Sequence, residues 1–305
     1  MSMIRWMFPM LVASLSVDAG AADTFSCATL DAHRDHVVTA ETTLGGVPAI
    51  VRVPPTISKA PIVLWHGFGP PASEAALMEA LPLDDVPAIK VYLGLPLFGK
   101  RAEAGGIEAL KQRQESDVAL KVFEPIVAGA AKELPAVVTA LRGQGCLDAH
   151  EKIGLFGFSA GGAAVLYALA ERDVPIGAAV VVNASTGLSA SIAAYEHATG
   201  KSYAWSDASR ALAKKTDATG RAADIAKGNP PPAVLIVQGT ADTMLTPDLA
   251  TALDAALAPR YAKANAKDRE RFALATQLTH DISNSTAVRM WSGEWFARFL
   301  EPASR

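Results

Sequence analysis

Residues 152–170 read KIGLFGFSAGGAAVLYALA, a run of apolar residues that meets an alanine-rich, helix-forming run with a single serine between them. A strand that passes into a helix with no room for a loop must feed a crossover back onto its own sheet, so this stretch calls for a parallel sheet covered by helices. The same alternation recurs along the chain. Apolar runs at 61–67, 88–96, 176–185, 233–239 and 271–278 read as further strands. Residues 73–81 read as a helix with Ser73 as its N-cap, and a last helix is expected over 285–300. A long helical region is expected from Val118 to Arg142, with Pro125 and Pro135 each opening a new segment, because proline fits best in a first helical turn.

Two stretches break the rhythm: a charged one at about 97–117, and one rich in Ala, Ser, Thr and Lys at about 186–230, long enough for a small helical cap above the sheet edge. With no internal repeat or linker, residues 22–305 are expected to form a single α/β domain with these two insertions. The composition fits, since half of the residues are apolar and a sizeable core can form. Lys and Arg number 28 against 31 Asp and Glu, evenly spread, so nothing invites a nucleic acid or an acidic lipid surface. No obligate protein partner is implied.

The first residues carry Arg5, an apolar stretch from Trp6 to Val17 and small residues at Ala19, Gly20 and Ala21. That order is the order of a secretory signal peptide, residues 1–21, cleaved after Ala21. The apolar stretch is well short of the roughly 20 residues a bilayer span needs. A secreted or periplasmic location is therefore expected, with no membrane attachment after cleavage. In that setting Cys27 and Cys146, the only cysteines, are expected to form one disulfide. Neither lies in a metal-ligand spacing, and no metal or cofactor is expected.

Functional groups in open α/β sheets gather past the carboxyl ends of the strands. Gly157-Phe158-Ser159-Ala160-Gly161 fits Gly-x-Ser-x-Gly between a strand and a helix, a turn in which the glycines clear space and the serine hydroxyl stands at the tip. By chance the pattern arises in roughly one in ten chains of this length, so it needs support from elsewhere. A phosphate-cradling loop would carry a lysine after the last glycine, where Gly162 stands.

A serine hydroxyl needs a base. Beyond Ser159 only His197 and His280 are available. His197 reads as a surface helix residue, whereas His280 follows the last strand. The orienting acid is expected at Asp242, in the loop after the strand that ends at Gly239. Asp248 competes for that role but falls in a first helical turn, where acids are common for dipole reasons. After the strand at 61–67, His66-Gly67-Phe68 gives a loop whose backbone can face a pocket, and the N–H groups of Phe68 and Ala160 are the expected oxyanion donors. His66 itself reads as structural. Trp65, Phe68 and Phe158 suggest an acyl pocket of apolar character, with strand core the plainer reading for Trp65 and Phe158.

On these residues the chain resembles the α/β-hydrolase family, and more loosely its secreted esterase and dienelactone-hydrolase-like branches. The order Ser159, Asp242, His280 is the family's order. The resemblance implies Ser159 as nucleophile, His280 as general base and acid, Asp242 as its orienting carboxylate, and Phe68 with Ala160 as oxyanion donors. Dienelactone hydrolases carry cysteine where Ser159 stands, and the HGGG form of one esterase branch is missing. The expected function is hydrolysis of small-molecule carboxylic esters through an acyl-enzyme. An acyltransferase and a prolyl-oligopeptidase-like peptidase share the catalytic order, though this length leaves no room for the propeller of the long peptidases. A non-catalytic binding protein on the same fold is the remaining alternative.

Overall fold

A computed structural model describes residues 26–27 and 35–303; the expected signal peptide lies outside these residues. Eight strands form one sheet: β1 (Val38–Leu44), β2 (Val47–Val53), β3 (Lys59–Trp65), β4 (Ala88–Leu93), β5 (Ile153–Phe158), β6 (Ile176–Val182), β7 (Ala233–Gly239) and β8 (Glu270–Ala275). Their order is β1-β2-β4-β3-β5-β6-β7-β8. All neighbours from β4 to β8 pair in parallel, while β1 and β2 form an antiparallel hairpin that joins the sheet through β4. This is the α/β-hydrolase fold expected from the sequence.

Side-chain alternation along the strands feeds two separate cores. Val63, Trp65 and Leu155 face one core, shared with α3 (Gly129–Gly143), α4 (Ala160–Glu171) and α8 (Pro247–Lys263). Ile62, Leu64 and Phe156 face the other, where Leu77 of α1 (Glu74–Ala80) and Trp295 and Phe296 of α9 (Thr286–Phe299) pack. Burial on both faces explains why β5, β6 and β7 are apolar throughout, without polar alternation.

The helical region between β4 and β5 departs from expectation. It begins at α2 (Gly106–Val118), breaks at Asp117 (φ −166°, ψ 97°), continues as a π-helical stretch from Ala119 to Ala128 and then as α3. Asp117 caps the new segment, its Oδ1 accepting from the N–H groups of Ala119 and Leu120 at 3.0 Å each. Both prolines lie inside segments rather than opening them: Pro125 within the π-helical stretch and Pro135 within α3. The stretch closes with the Gly129 N–H reaching the Glu124 carbonyl five residues back, and the Lys121 carbonyl, which Pro125 has no N–H to meet, accepts from Arg113 Nη1 at 3.2 Å.

Residues 186–230 contain α5 (Leu188–Thr199), α6 (Asp207–Thr216) and the single turn α7 (Ala222–Ile225). Tyr203, between α5 and α6, donates its hydroxyl to Asp117 Oδ1 at 2.9 Å and so ties this segment to the end of α2. Cys27 and Cys146 form a disulfide. Among the described residues no helix is long and apolar enough to cross a membrane.

Candidate active site

Ser159 stands between the last residue of β5 and the first of α4 with φ 55° and ψ −116°, a backbone conformation that costs energy in any residue with a Cβ. The glycines around it make that turn possible. A Cβ on Gly157 would lie 2.2 Å from the Gly161 carbonyl oxygen, and one on Gly161 would lie 2.4 Å from that of His66. The turn is pinned to β6 by the Ser159 N–H, which donates to the Val182 carbonyl at 3.0 Å.

His280 lies in the loop between β8 and α9, and its Nε2 is 3.0 Å from Ser159 Oγ. Its Nδ1 is 2.8 Å from Asp242 Oδ2. With Nδ1–H donating to the carboxylate, Nε2 is free to accept the serine proton. Asp242 follows β7 and its side chain is fully buried. Its Oδ1 accepts from the N–H groups of Met244 (2.9 Å) and Leu245 (3.0 Å), so one oxygen closes a local turn and the other meets the histidine. Burial alone would push the Asp242 carboxyl up. The His280 hydrogen bond and the Leu245 and Met244 N–H groups outweigh it and hold the carboxyl below its ordinary value. The competing Asp248 is exposed in the first turn of α8, and His197 is exposed in the last turn of α5.

His66 is buried and structural. Its Nε2 accepts from the Leu95 N–H at 3.2 Å, so its Nδ1 carries the proton and donates to the Gly67 carbonyl at 2.7 Å. Burial pushes its pKa down, which keeps the ring neutral. Gly67 lets this loop approach the elbow, since a Cβ there would fall 2.8 Å from Ser159 Cβ and from the Phe158 ring. Phe68 stacks on Phe98 with ring centroids 5.1 Å apart. Among the described residues, the N–H groups of Phe68 and Ala160 are taken up by no hydrogen bond.

Ser159, Ala160 and Phe68 line a cavity of about 200 Å³, walled by Val122 and Phe123 of the π-helical stretch and by Tyr195 of α5. No charged side chain lines it. Of the three aromatics, Phe68 lines the cavity, while Trp65 and Phe158 take the strand-core reading. Trp65 is buried in the core shared with α3 and α4, and Phe158 is buried in the other core, its ring centroid 5.1 Å from that of His280. A larger hollow of about 540 Å³ between the loop at 82–85 and α9 contains none of these residues. Among the described residues no three His, Cys, Asp or Glu side chains group as a metal site requires.

Asn183 was not singled out in the sequence. It directly follows β6 with φ 43°, is fully buried, and its side-chain amide donates to the Thr279 carbonyl at 2.8 Å and the His280 carbonyl at 3.4 Å. Its Oδ1 accepts from the Gly239 N–H at 2.7 Å, so one side chain joins the loop of the base to the strand end that carries the acid. Its only sequence signal is a polar residue, tolerant of positive φ, at the end of an apolar run.

A profile of the prolyl oligopeptidase family matches residues 129–301, more than half of the chain and a span that holds Ser159, Asp242 and His280. The chain belongs to the prolyl oligopeptidase family. No curated protein sequence matches it significantly. Among solved structures it is similar to TT1662 from Thermus thermophilus, with a TM-score of 0.65 at 19% identity over 86% of this chain and 98% of that one. It is also similar to carboxyl esterase 2 from the mycorrhizal fungus Tuber melanosporum, with a TM-score of 0.56 at 17% identity over 93% and 90% of the two chains. Dipeptidyl peptidase 4 of Porphyromonas gingivalis matches with a TM-score of 0.56 at 16% identity. That match covers 87% of this chain but 35% of the peptidase, so this prolyl oligopeptidase family member spans about a third of the peptidase's length. At these identities the structures establish the fold. Family and fold together make the protein a hydrolase of the serine hydrolase superfamily.

Proposed function

We propose that the protein is an exported serine esterase that hydrolyses small-molecule carboxylic esters through an acyl-enzyme. The observation that carries this reading is the hydrogen-bonded row Asp242–His280–Ser159 opening onto an uncharged, mostly apolar cavity. An exopeptidase site would need a charged group to meet a free terminus, since a buried unpaired ammonium or carboxylate is costly. A neutral acyl chain needs none.

In the proposed reaction Ser159 Oγ attacks the ester carbonyl carbon while its proton passes to His280 Nε2. The negative oxygen of the tetrahedral intermediate is met by the N–H groups of Phe68 and Ala160. When the intermediate collapses, the carbon–oxygen bond to the alcohol breaks and the His280 proton leaves with it. Water then attacks the acyl-enzyme by the same steps in reverse, giving up a proton to Nε2 and releasing the acid. Asp242 holds the imidazole in the required tautomer and stabilises its charged form. Nothing in this sequence of steps calls for a cofactor. Residues 1–21 act as the signal peptide, and the mature protein begins at Ala22.

Family membership favours a second reading, a peptidase acting on prolyl peptides. Hydrolysis of p-nitrophenyl esters of graded chain length is to be compared with aminoacyl-prolyl p-nitroanilides, each beside Ser159→Ala. Ester turnover lost in the variant, with the anilides untouched, supports the esterase. Anilide turnover at rates matching the esters, despite the stronger bond, replaces it with the peptidase.

A further inference from the structure

Two stretches far apart in sequence wall the cavity that holds Ser159. Gln114 and Val118 of α2 and Phe123 of the π-helical stretch belong to one wall; Ser191, Tyr195 and Ala198 of α5 belong to the other. The spacings, i and i+4 on α2 and i, i+4 and i+7 on α5, put each set on one helix face. The first wall has little core to hold it. No residue of α2 is buried, and the ties made by Arg113 run within its own segment, to Glu103 at 2.7 Å and to the Lys121 carbonyl at 3.2 Å.

A hydrogen bond joins the two walls. Asp117, at the break between α2 and the π-helical stretch, accepts the Tyr203 hydroxyl on Oδ1 at 2.9 Å, while the same oxygen caps Ala119 and Leu120 at 3.0 Å each. Tyr203 is itself fixed to the second wall, its N–H donating to Glu196 Oε1 of α5 at 2.7 Å. Its ring meets that of Trp205 edge-on at 5.2 Å, and its hydroxyl also interacts with Ser209 of α6. An extended residue inside a helix interrupts the ladder that would fix the angle across it. At Asp117 (φ −166°, ψ 97°) that angle is held from outside, by Tyr203.

We propose, resting on the esterase reading above, that Asp117 and Tyr203 are positioning residues that set the acyl-chain length the enzyme accepts, and that the substrates are esters of short to medium-chain acids. Neither residue lines the cavity; they act through Gln114, Val118 and Phe123, whose distance from α5 their bond fixes. A cavity of about 150 Å³ takes the six carbons of benzene, so one of about 200 Å³ takes an acyl chain of roughly eight. Each methylene that enters raises kcat/KM about fourfold, and one left outside in water adds nothing. Activity that rises with chain length and then levels therefore reads out where the walls stand.

The test is kcat/KM for p-nitrophenyl esters of even chain length, acetyl to dodecanoyl, with the parent, Tyr203→Phe, Asp117→Ser and the double variant. Tyr203→Phe removes the bond and leaves the cap on Ala119 and Leu120. Asp117→Ser keeps a capping oxygen on a side chain too short to reach the phenol. The parent is expected to level off near the octanoyl ester. Each single variant is expected to rise one step further, so that its decanoyl-to-octanoyl ratio exceeds that of the parent about tenfold, the worth of two more methylenes. The double variant is expected to match the singles, because all three lack the same bond.

Levelling at the same length in the parent and in Tyr203→Phe, whatever their absolute rates, overturns the proposal and leaves the esterase reading standing. A parent that never levels overturns it equally, as do shifts in the single variants that add together in the double. No ester turnover at all overturns both.

Discussion

Asp242 and Asp248 are both acids near the start of α8, and only one has a partner that gives it work. Asp242→Asn can still accept from the Met244 and Leu245 N–H groups through its amide oxygen, so the turn and the fold should survive. The other side of the amide would present N–H to His280 Nδ1 and invert the tautomer. A fall in kcat on the order of 10⁴ is expected, while Asp248→Asn should leave kcat where it was. Steady-state kinetics with circular dichroism on both variants checks this, and the reverse outcome would reassign the acid. Asn183 permits a second prediction of another kind. Removing its side chain in Asn183→Ala leaves the Gly239 N–H and the Thr279 carbonyl without their partner and frees the His280 loop to shift. Misplacing a catalytic group by about an ångström costs up to about a hundredfold. A kcat lowered about tenfold or more at nearly unchanged KM is therefore expected; a change in thermal stability alone would mean that Asn183 only holds the fold.

At the scale of elements, the edge strand β8 carries a strained acid. Glu270, its first residue, is pushed up to about 8 by burial and by the Asp254 carboxyl beside it on α8. Its folded value lies above its ordinary 4.5, so the stability it contributes is full below about 4.5 and is lost as pH rises through about 8. Glu270→Gln removes that dependence. Its melting temperature should exceed that of the parent at pH 8–9 and lose the advantage at pH 4; equal curves at both ends would dismiss the pair. The elements show what periodicity can convey. Strands β3 to β7 were legible because burial on both faces writes an unbroken apolar run, and the elbow was legible because only glycine fits where Gly157 and Gly161 touch neighbouring backbone. The β1–β2 hairpin was overlooked although Gly45-Gly46, both at positive φ, sit between two strands, because an edge strand half in solvent reads as mixed polarity. Prolines normally punctuate helices, and the π-helical stretch that absorbs Pro125 has no sequence sign of its own. The placement of Asn183 between two loops, and the cavity walls contributed by α5, depend on contacts far apart in sequence.

The whole molecule is closed by one covalent tie. Cys27, fully buried, is bonded to Cys146 across 119 residues, and its N–H donates to the Gln144 carbonyl at 3.0 Å. The loop so closed contains β1 to β4 and the helices as far as α3, so cutting the bond releases the hairpin edge of the sheet together with half of one core. Closing a loop of this length removes freedom mainly from the unfolded chain, worth roughly 2–5 kcal/mol to the native state. Cys27→Ser should therefore melt several degrees below the parent in oxidising buffer and show one free thiol when denatured. The parent treated with a reductant should move to the temperature of the variant, because both then lack the same constraint. With no other cysteine in the chain, no alternative pairing can mask the result. The location proposed for the protein is tested by the same bond, since disulfides persist outside the reducing cytosol. Protein recovered from an exported fraction, beginning at Ala22, should give no thiol titre until it is reduced. The same chain produced without residues 1–21 in a reducing cytosol should give two thiols and the lower melting temperature. A full thiol titre in the exported fraction would separate the fold from the compartment and withdraw the link between them.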